Sequence, residues 1–313
     1  MVSNLDALGN VPDIIHGQHH LEAMAAMTYF YNTPAIYVCH GWFPWPETPP
    51  VFFNIKKYVA VGELTREYVS TTCGVSRDDI DIIPNFVDLG KFAIKQKIND
   101  APNSAAFFGN GVAKNSSLVE VAAAACKKAG LTRLDIFGIR SGNLIANPEV
   151  VLRNYDIVFS VGRCAIEAMS MGCAVIVSDE SGVAEMIRPE NMERMFGKFG
   201  ASSLSKYNLN VDYVCGEILK FKAQDVRQVS EWIRAKVDLF NAADRYESVY
   251  REAMNSHRAE CSAAEGEGRS HRGDQRFKDV AKYLTSISAK IKGFEAEQYR
   301  MSKLVEELQA RKH

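Results

Sequence analysis

One stretch, NYDIVFSVGRCAIEAMSMGCAVIVSDESGVAEMI at 154–187, constrains the fold of this chain more than any other. An apolar run ends at Ser160, Gly162 permits a tight turn, and a helix-period segment follows over Arg163 to Met171. Gly172 then closes the helix before a second apolar run, Ala174 to Val177. Two apolar strands joined by a crossover helix are the unit of a parallel sheet covered on both faces. The strand-to-helix turn offers the unpaired N–H groups and positive dipole end of the helix, which suit an anion. Glu167 falls about one turn inside that end, where a carboxylate accepts hydrogen bonds from sugar hydroxyls while a phosphate occupies the turn. That combination fits a nucleotide better than inorganic phosphate. A second loop at Asp179 to Gly182 is expected to open another helix over the same edge.

The rest of the chain alternates in the same way. Residues 12–16, 34–39, 58–61 and 81–83 read as strands, with helices at 21–31 and at 64–72, the latter closed by Gly74. The polar stretch KQKINDAPN at 95–103 reads as an exposed interdomain linker. Beyond it come a strand at 105–108, a helix at 116–129, a strand at 134–137, the 154–187 segment, and amphipathic helices at 223–236 and 239–254. The expected architecture is α/β with two doubly wound lobes, whose ligands bind beyond the carboxyl ends of the strands. The lobes are 1–93, incomplete because a full one needs about 150 residues, and 94–255. A flexible linker at 256–279 leads to a helix at 280–313.

In that last segment Val280, Leu284, Ile287, Ile291, Phe294, Gln298, Met301, Val305 and Leu308 alternate at spacings of four and three, a heptad seam. Self-association through 280–308 is the favoured reading; a long helix folded back on its own domain is the alternative.

Composition excludes several classes. The formal net charge of −1 and sequence pI near 6.7 are not those of a globally basic nucleic-acid binder. Seven cysteines, scattered through apolar contexts, read as reduced thiols and a cytoplasmic setting. His16, His19, His20 and Glu22 lack consistent ligand spacing, so no metal site is expected. No apolar run approaches the ~20 residues of a membrane span, so any membrane contact is expected to be peripheral.

The elements EAMSMG, CAVIV and ESGVAE, in that order and spacing, resemble the donor site of the family 4 glycosyltransferases, which have the GT-B fold of two Rossmann-like lobes. FFGNGVAKNSSLVEVAAAA at 107–125 resembles the strand, Gly-x-x-x-x-Lys loop and helix that open the family's donor lobe. IPNFVDLGKF, ending at Phe92, resembles the string leading to its hinge. The resemblance runs from about residue 11 to about 254. It implies transfer of a sugar from a nucleoside diphosphate sugar to a glycan, lipid or protein acceptor, of retaining stereochemistry, with no cofactor and no metal.

By the same resemblance Glu167 holds the ribose, and Ser181, Gly182 and Glu185 bear on the sugar and phosphates. Lys114, with Gly109 and Asn110 in its loop, meets the pyrophosphate, and His40 lies near the transferred sugar. The family's usual Glu eight residues before the ribose Glu is Phe159 here. Arg163 beside the Gly162 turn fits a pyrophosphate bidentately, or simply caps the helix on the surface. Lys114 neutralises the departing diphosphate, or is a solvated loop charge. His40 hydrogen-bonds sugar, or is a buried structural histidine. Trp42, Phe43 and Trp45 form an acceptor platform or a packed loop. The competing function is a nucleotide-sugar-binding assembly protein whose helix at 280–313 recruits a partner.

Overall fold

The structure is a computed structural model and describes residues 5–41, 47–200, 203–265, 280, 283–284, 287, 290–298 and 300–301. Trp42, Phe43 and Trp45, along with Val305 and Leu308 of the heptad seam, lie outside the described residues. The chain divides into two compact units. The first comprises residues 1–38, 42–58 and 250–313; the second comprises 39–41 and 59–249.

In the first unit, β1 (Ile15–Gly17) pairs in parallel with β2 (Ala35–Cys39), Ile15 opposite Ala35 and Gly17 opposite Tyr37. Helix α1 (His20–Tyr29) connects them and buries Ala23, Met24 and Met27. Asn54 donates to the carbonyls of Tyr31 and Thr33 at 2.9 Å each, which fixes the turn after α1. β3 (Ile55–Ala60) begins in this unit.

The second unit takes up the chain there with α2 (Glu63–Cys73), ended by Gly74 at φ 70°, and β4 (Ile80–Ile82). Its main sheet has five strands in the order β6-β5-β7-β8-β9: β5 (Ser104–Phe108), β6 (Arg133–Phe137), β7 (Ile157–Ser160), β8 (Ala174–Asp179) and β9 (Gly182–Met186). The first four are mutually parallel. On one face Phe107, Phe159 and Ile176 pack with α3 (Ser117–Lys128) and α7 (Val211–Ile218). On the other, Val158, Val175 and Val177 pack with α5 (Gly162–Ser170) and α8 (Ala223–Arg234). Burial on both faces is why β7 and β8 are apolar at nearly every position rather than at alternate ones. Buried Asp156 locks the start of β7 to that of β5, accepting from the backbone N–H groups of Asn103 and Ser104, the Ser104 hydroxyl and Asn99.

Three departures from the sequence reading stand out. The helix expected after Asp179–Gly182 is instead β9, antiparallel to β8. A tight turn, closed by the Ser181 N–H on the Asp179 carboxylate at 2.6 Å, reverses the chain before a helix can start. A short helix, α4 (Pro148–Leu152), not expected from the sequence, lies between β6 and β7, with Pro148 in its first turn. After α6 (Met192–Met195), α7 and α8, helix α9 (Leu239–Glu265) continues well into the segment read as a linker.

The stretch at 95–103 is pinned along the second unit, by the Lys95 N–H on the Met171 carbonyl and by Asn99 on Asp156. Among the described residues, no helix is long and apolar enough to cross a membrane. All seven cysteines are free thiols.

Candidate functional site

Parallel register brings the carboxyl ends of β5, β7 and β8 to one edge, with Phe107 opposite Phe159 and Ser160 opposite Val177. Ser160 closes that edge by donating to the Phe108 carbonyl at 2.6 Å. Three loops leave from it. After β5 comes Gly109–Ser116, after β7 the single residue Val161, and after β8 the turn Asp179–Ser181. The edge between β5 and β7, which are neighbours in space but not in sequence, is a topological switch point, where open α/β sheets bind ligands.

The Gly109–Ser116 loop is held from both sides. Asn110 accepts from the Ile139 N–H through Oδ1 and from the Arg140 N–H through its carbonyl, both at 3.3 Å, and the Arg140 guanidinium donates to the Gly111 carbonyl at 3.0 Å. This contact needs Gly138 at φ 144°, since a Cβ there would lie 2.0 Å from the Gly109 oxygen. Asn110 is thus the clamp of the loop. From the other side, Glu180 accepts the Ala113 N–H at 3.0 Å. Lys114 follows, exposed, and Ser116 caps α3 by accepting from the Val119 N–H.

The short connection after β7 puts Glu167 in α5, about one and a half turns from its start. Gly162 has φ 59°, and its N–H donates to the Phe199 carbonyl, so the next amides of the α5 first turn are the ones left for a ligand. Glu167 is 8% exposed and accepts from Nε of the exposed Arg163 at 3.1 Å. Burial raises the Glu167 carboxyl above the usual carboxylate range, and Arg163, with Lys91 further off, opposes that rise. A thiol near a helix N-terminus is often activated, but here burial and then the Glu167 charge push Cys164 up to about 11, the opposite of activation.

Phe159 sits within β7, stacked on Phe107 with ring centroids 4.8 Å apart, so this position carries no ligand-facing group.

In the third loop Ser181 is exposed. Gly182, at φ 143°, allows a backbone approach: a Cβ there would be 2.5 Å from the Ser205 carbonyl carbon and oxygen. Val183 and Ser205 exchange both backbone hydrogen bonds across this approach. Glu185, the fourth residue of β9, pairs with Arg194 at 2.6 Å and accepts from Asn191 at 3.1 Å; Arg194 holds its carboxyl below the usual range. Its bonds are those of a tie between β9 and α6. His40 is exposed and directly follows β2. The histidine group at the start of α1 does not form a metal cluster: among the described residues no set of three or more His, Cys, Asp or Glu is arranged to hold an ion.

Sequence reasoning missed Glu180 and the 196–200 segment. Glu180 was legible as a carboxylate in a loop that otherwise wants small residues; the Phe199 carbonyl, being backbone, carries no sequence signal.

Residues 5–91 match the model of Glycosyltransferase Family 4. No curated protein matches the chain in sequence. A glycosyltransferase from Rickettsia africae ESF-5 superposes with TM-score 0.52 at 16% identity, over 77% of this chain and 77% of that one. A chain of the GtfA/B complex superposes with TM-score 0.52 at 12% identity, over 77% of this chain and 57% of that one. At these identities the likeness is one of fold, and that fold is the GT-B fold.

Proposed function

From a chain that is family 4-like in sequence over residues 5–91 and GT-B in fold, we propose a glycosyltransferase that moves a hexose from a nucleoside diphosphate sugar to a glycan, lipid or protein acceptor. The observation that carries this reading is the buried Glu167 beside Arg163 at the end of β7. A nearly dry carboxylate with one exposed cation beside it is poised to accept two ribose hydroxyls, which replace the lost water. Arg163 then swings to the diphosphate, which its guanidinium fork fits. Lys114 and the free amides of the α5 first turn neutralise the charge that grows as the bond from the anomeric carbon to the β-phosphate oxygen breaks. The new bond forms from acceptor oxygen to the anomeric carbon, and the acceptor proton passes to the departing phosphate. That route leaves retained stereochemistry, and it asks for neither a metal nor a protein base.

The test is binding and transfer with a panel of UDP, GDP and ADP sugars. One nucleotide should bind, and Glu167→Ala should weaken it by about tenfold or more, the loss of two charge-assisted hydrogen bonds. Equal affinity in the variant sinks the ribose assignment. Binding without transfer to any acceptor favours a nucleotide-sugar-binding assembly protein over an enzyme.

A further inference from the structure

Beyond α9, the described residues from Val280 to Met301 are helical. Val280, Tyr283 and Ile287 are half-buried, and Tyr283 stacks on His20 with centroids 5.5 Å apart, which anchors the start of this helix within the first unit. From Lys290 to Gln298 every residue is exposed. Among the large apolar side chains, Leu284 is 60% exposed, Ile291 52%, Phe294 53% and Met301 57%. An isolated helix of this length is marginal in water, and Gly293 in its middle makes it more so. A seam of large apolar residues at 3.5-residue spacing on such a helix therefore calls for a partner.

We propose that the partner is a second copy of this chain, bound as a parallel, in-register, two-stranded coiled coil. In the heptad frame Leu284, Ile291 and Gln298 occupy a positions and Phe294 and Met301 d positions; Val280 and Ile287, the earlier d positions, are already half-buried in the single chain, so the continuous exposed seam runs from Ile291 onward. Lys290 is then a g position and Glu295 the following e position, so a parallel pair sets Lys290 of each copy against Glu295 of the other, twice by symmetry. Both residues are exposed. Gln298 decides direction. In a parallel dimer it meets its own copy, and each amide N–H donates to the other's carbonyl. In an antiparallel dimer an a residue faces d residues, which here are apolar, and the buried amide would go unbonded. This inference is independent of the proposed activity.

Sedimentation of the full chain tests the state. A dimer is expected, with Phe294→Glu raising its dissociation constant at least about tenfold, because a charge enters the seam. Phe294 is exposed in the single chain, so an unchanged thermal unfolding profile of this variant, at a dilution where both proteins are monomeric, confirms that the fold is intact. Lys290→Glu alone should weaken the dimer, and adding Glu295→Lys should restore it. Met301→Cys, at a d position, should form a disulfide-linked dimer under mild oxidation that the parent chain does not. A monomer, a higher oligomer, a dimer indifferent to Phe294→Glu, a failure of the charge exchange to rescue, or no Met301→Cys cross-link would each overturn the proposal.

Discussion

The carboxyl group of Glu167 is almost removed from water and keeps one close cation, Arg163, itself largely solvated. Burial wins over that cation, so the folded state holds its proton to higher pH than the unfolded chain does. Between the ordinary carboxylate value of about 4.3 and the raised folded value, the native state binds a proton the unfolded state has lost, so stability falls as pH rises through that window. Glu167→Gln keeps the shape and removes the titration. The variant should therefore lose less stability than the parent as pH climbs from about 4.3 towards neutrality, seen as diverging unfolding midpoints. Parallel midpoints across that range would mean that burial costs Glu167 nothing. If the proposed ribose contact holds, the sugar hydroxyls favour the ionised form, and bound nucleotide should erase the difference.

At the scale of elements, the strand-turn-helix-strand core of 154–187 was legible because it obeys local rules: apolar runs for doubly covered strands, Gly162 at a positive φ, Gly172 at the helix end. β9 was not legible, because a short segment following a glycine reads equally as strand or helix, and only pairing with β8 decides. The roles at the site divide along the same line. The position of Glu167 after the Gly162 turn is set by local sequence, whereas the Gly109–Lys114 loop is held by contacts distant in the chain, Asn110 with Ile139 and Arg140 and Ala113 with Glu180, and Glu185 is taken up by Arg194 of the next helix. Gly182 marks the border. As a loop glycine at the sheet edge it reads in the sequence as a ligand contact, yet its surroundings show the backbone of Ser205 occupying the space a side chain would need. Gly182→Ala should cost about 2 to 3 kcal/mol of stability, from the disfavoured φ and the displaced neighbour together, read as a lowered denaturant midpoint. An unchanged midpoint would show that the β9 approach is not tight.

For the molecule as a whole, a net charge of −1 spread over 313 residues gives no long-range field to draw in a dianionic nucleotide. Attraction must come from a few cations at one sheet edge, of which Lys114 is exposed on a loop clamped by Asn110 and Glu180. Clamping matters because a fixed loop presents its cation without the ordering cost that a free loop would incur on binding. An exposed charge acting over a short range is screened once the Debye length shrinks from about 10 Å at 0.1 M salt to about 3 Å at 1 M. Nucleotide affinity should accordingly fall with salt, and Lys114→Met should both weaken it by about three- to tenfold at low salt and flatten its salt dependence, the two curves converging near 1 M. Calorimetric titration at a series of salt concentrations separates this from the alternative. If Lys114 is only a solvated loop charge, the variant's curve will overlie that of the parent at every concentration, and in the proposed reaction stabilisation of the leaving diphosphate falls to Arg163 and the α5 amides.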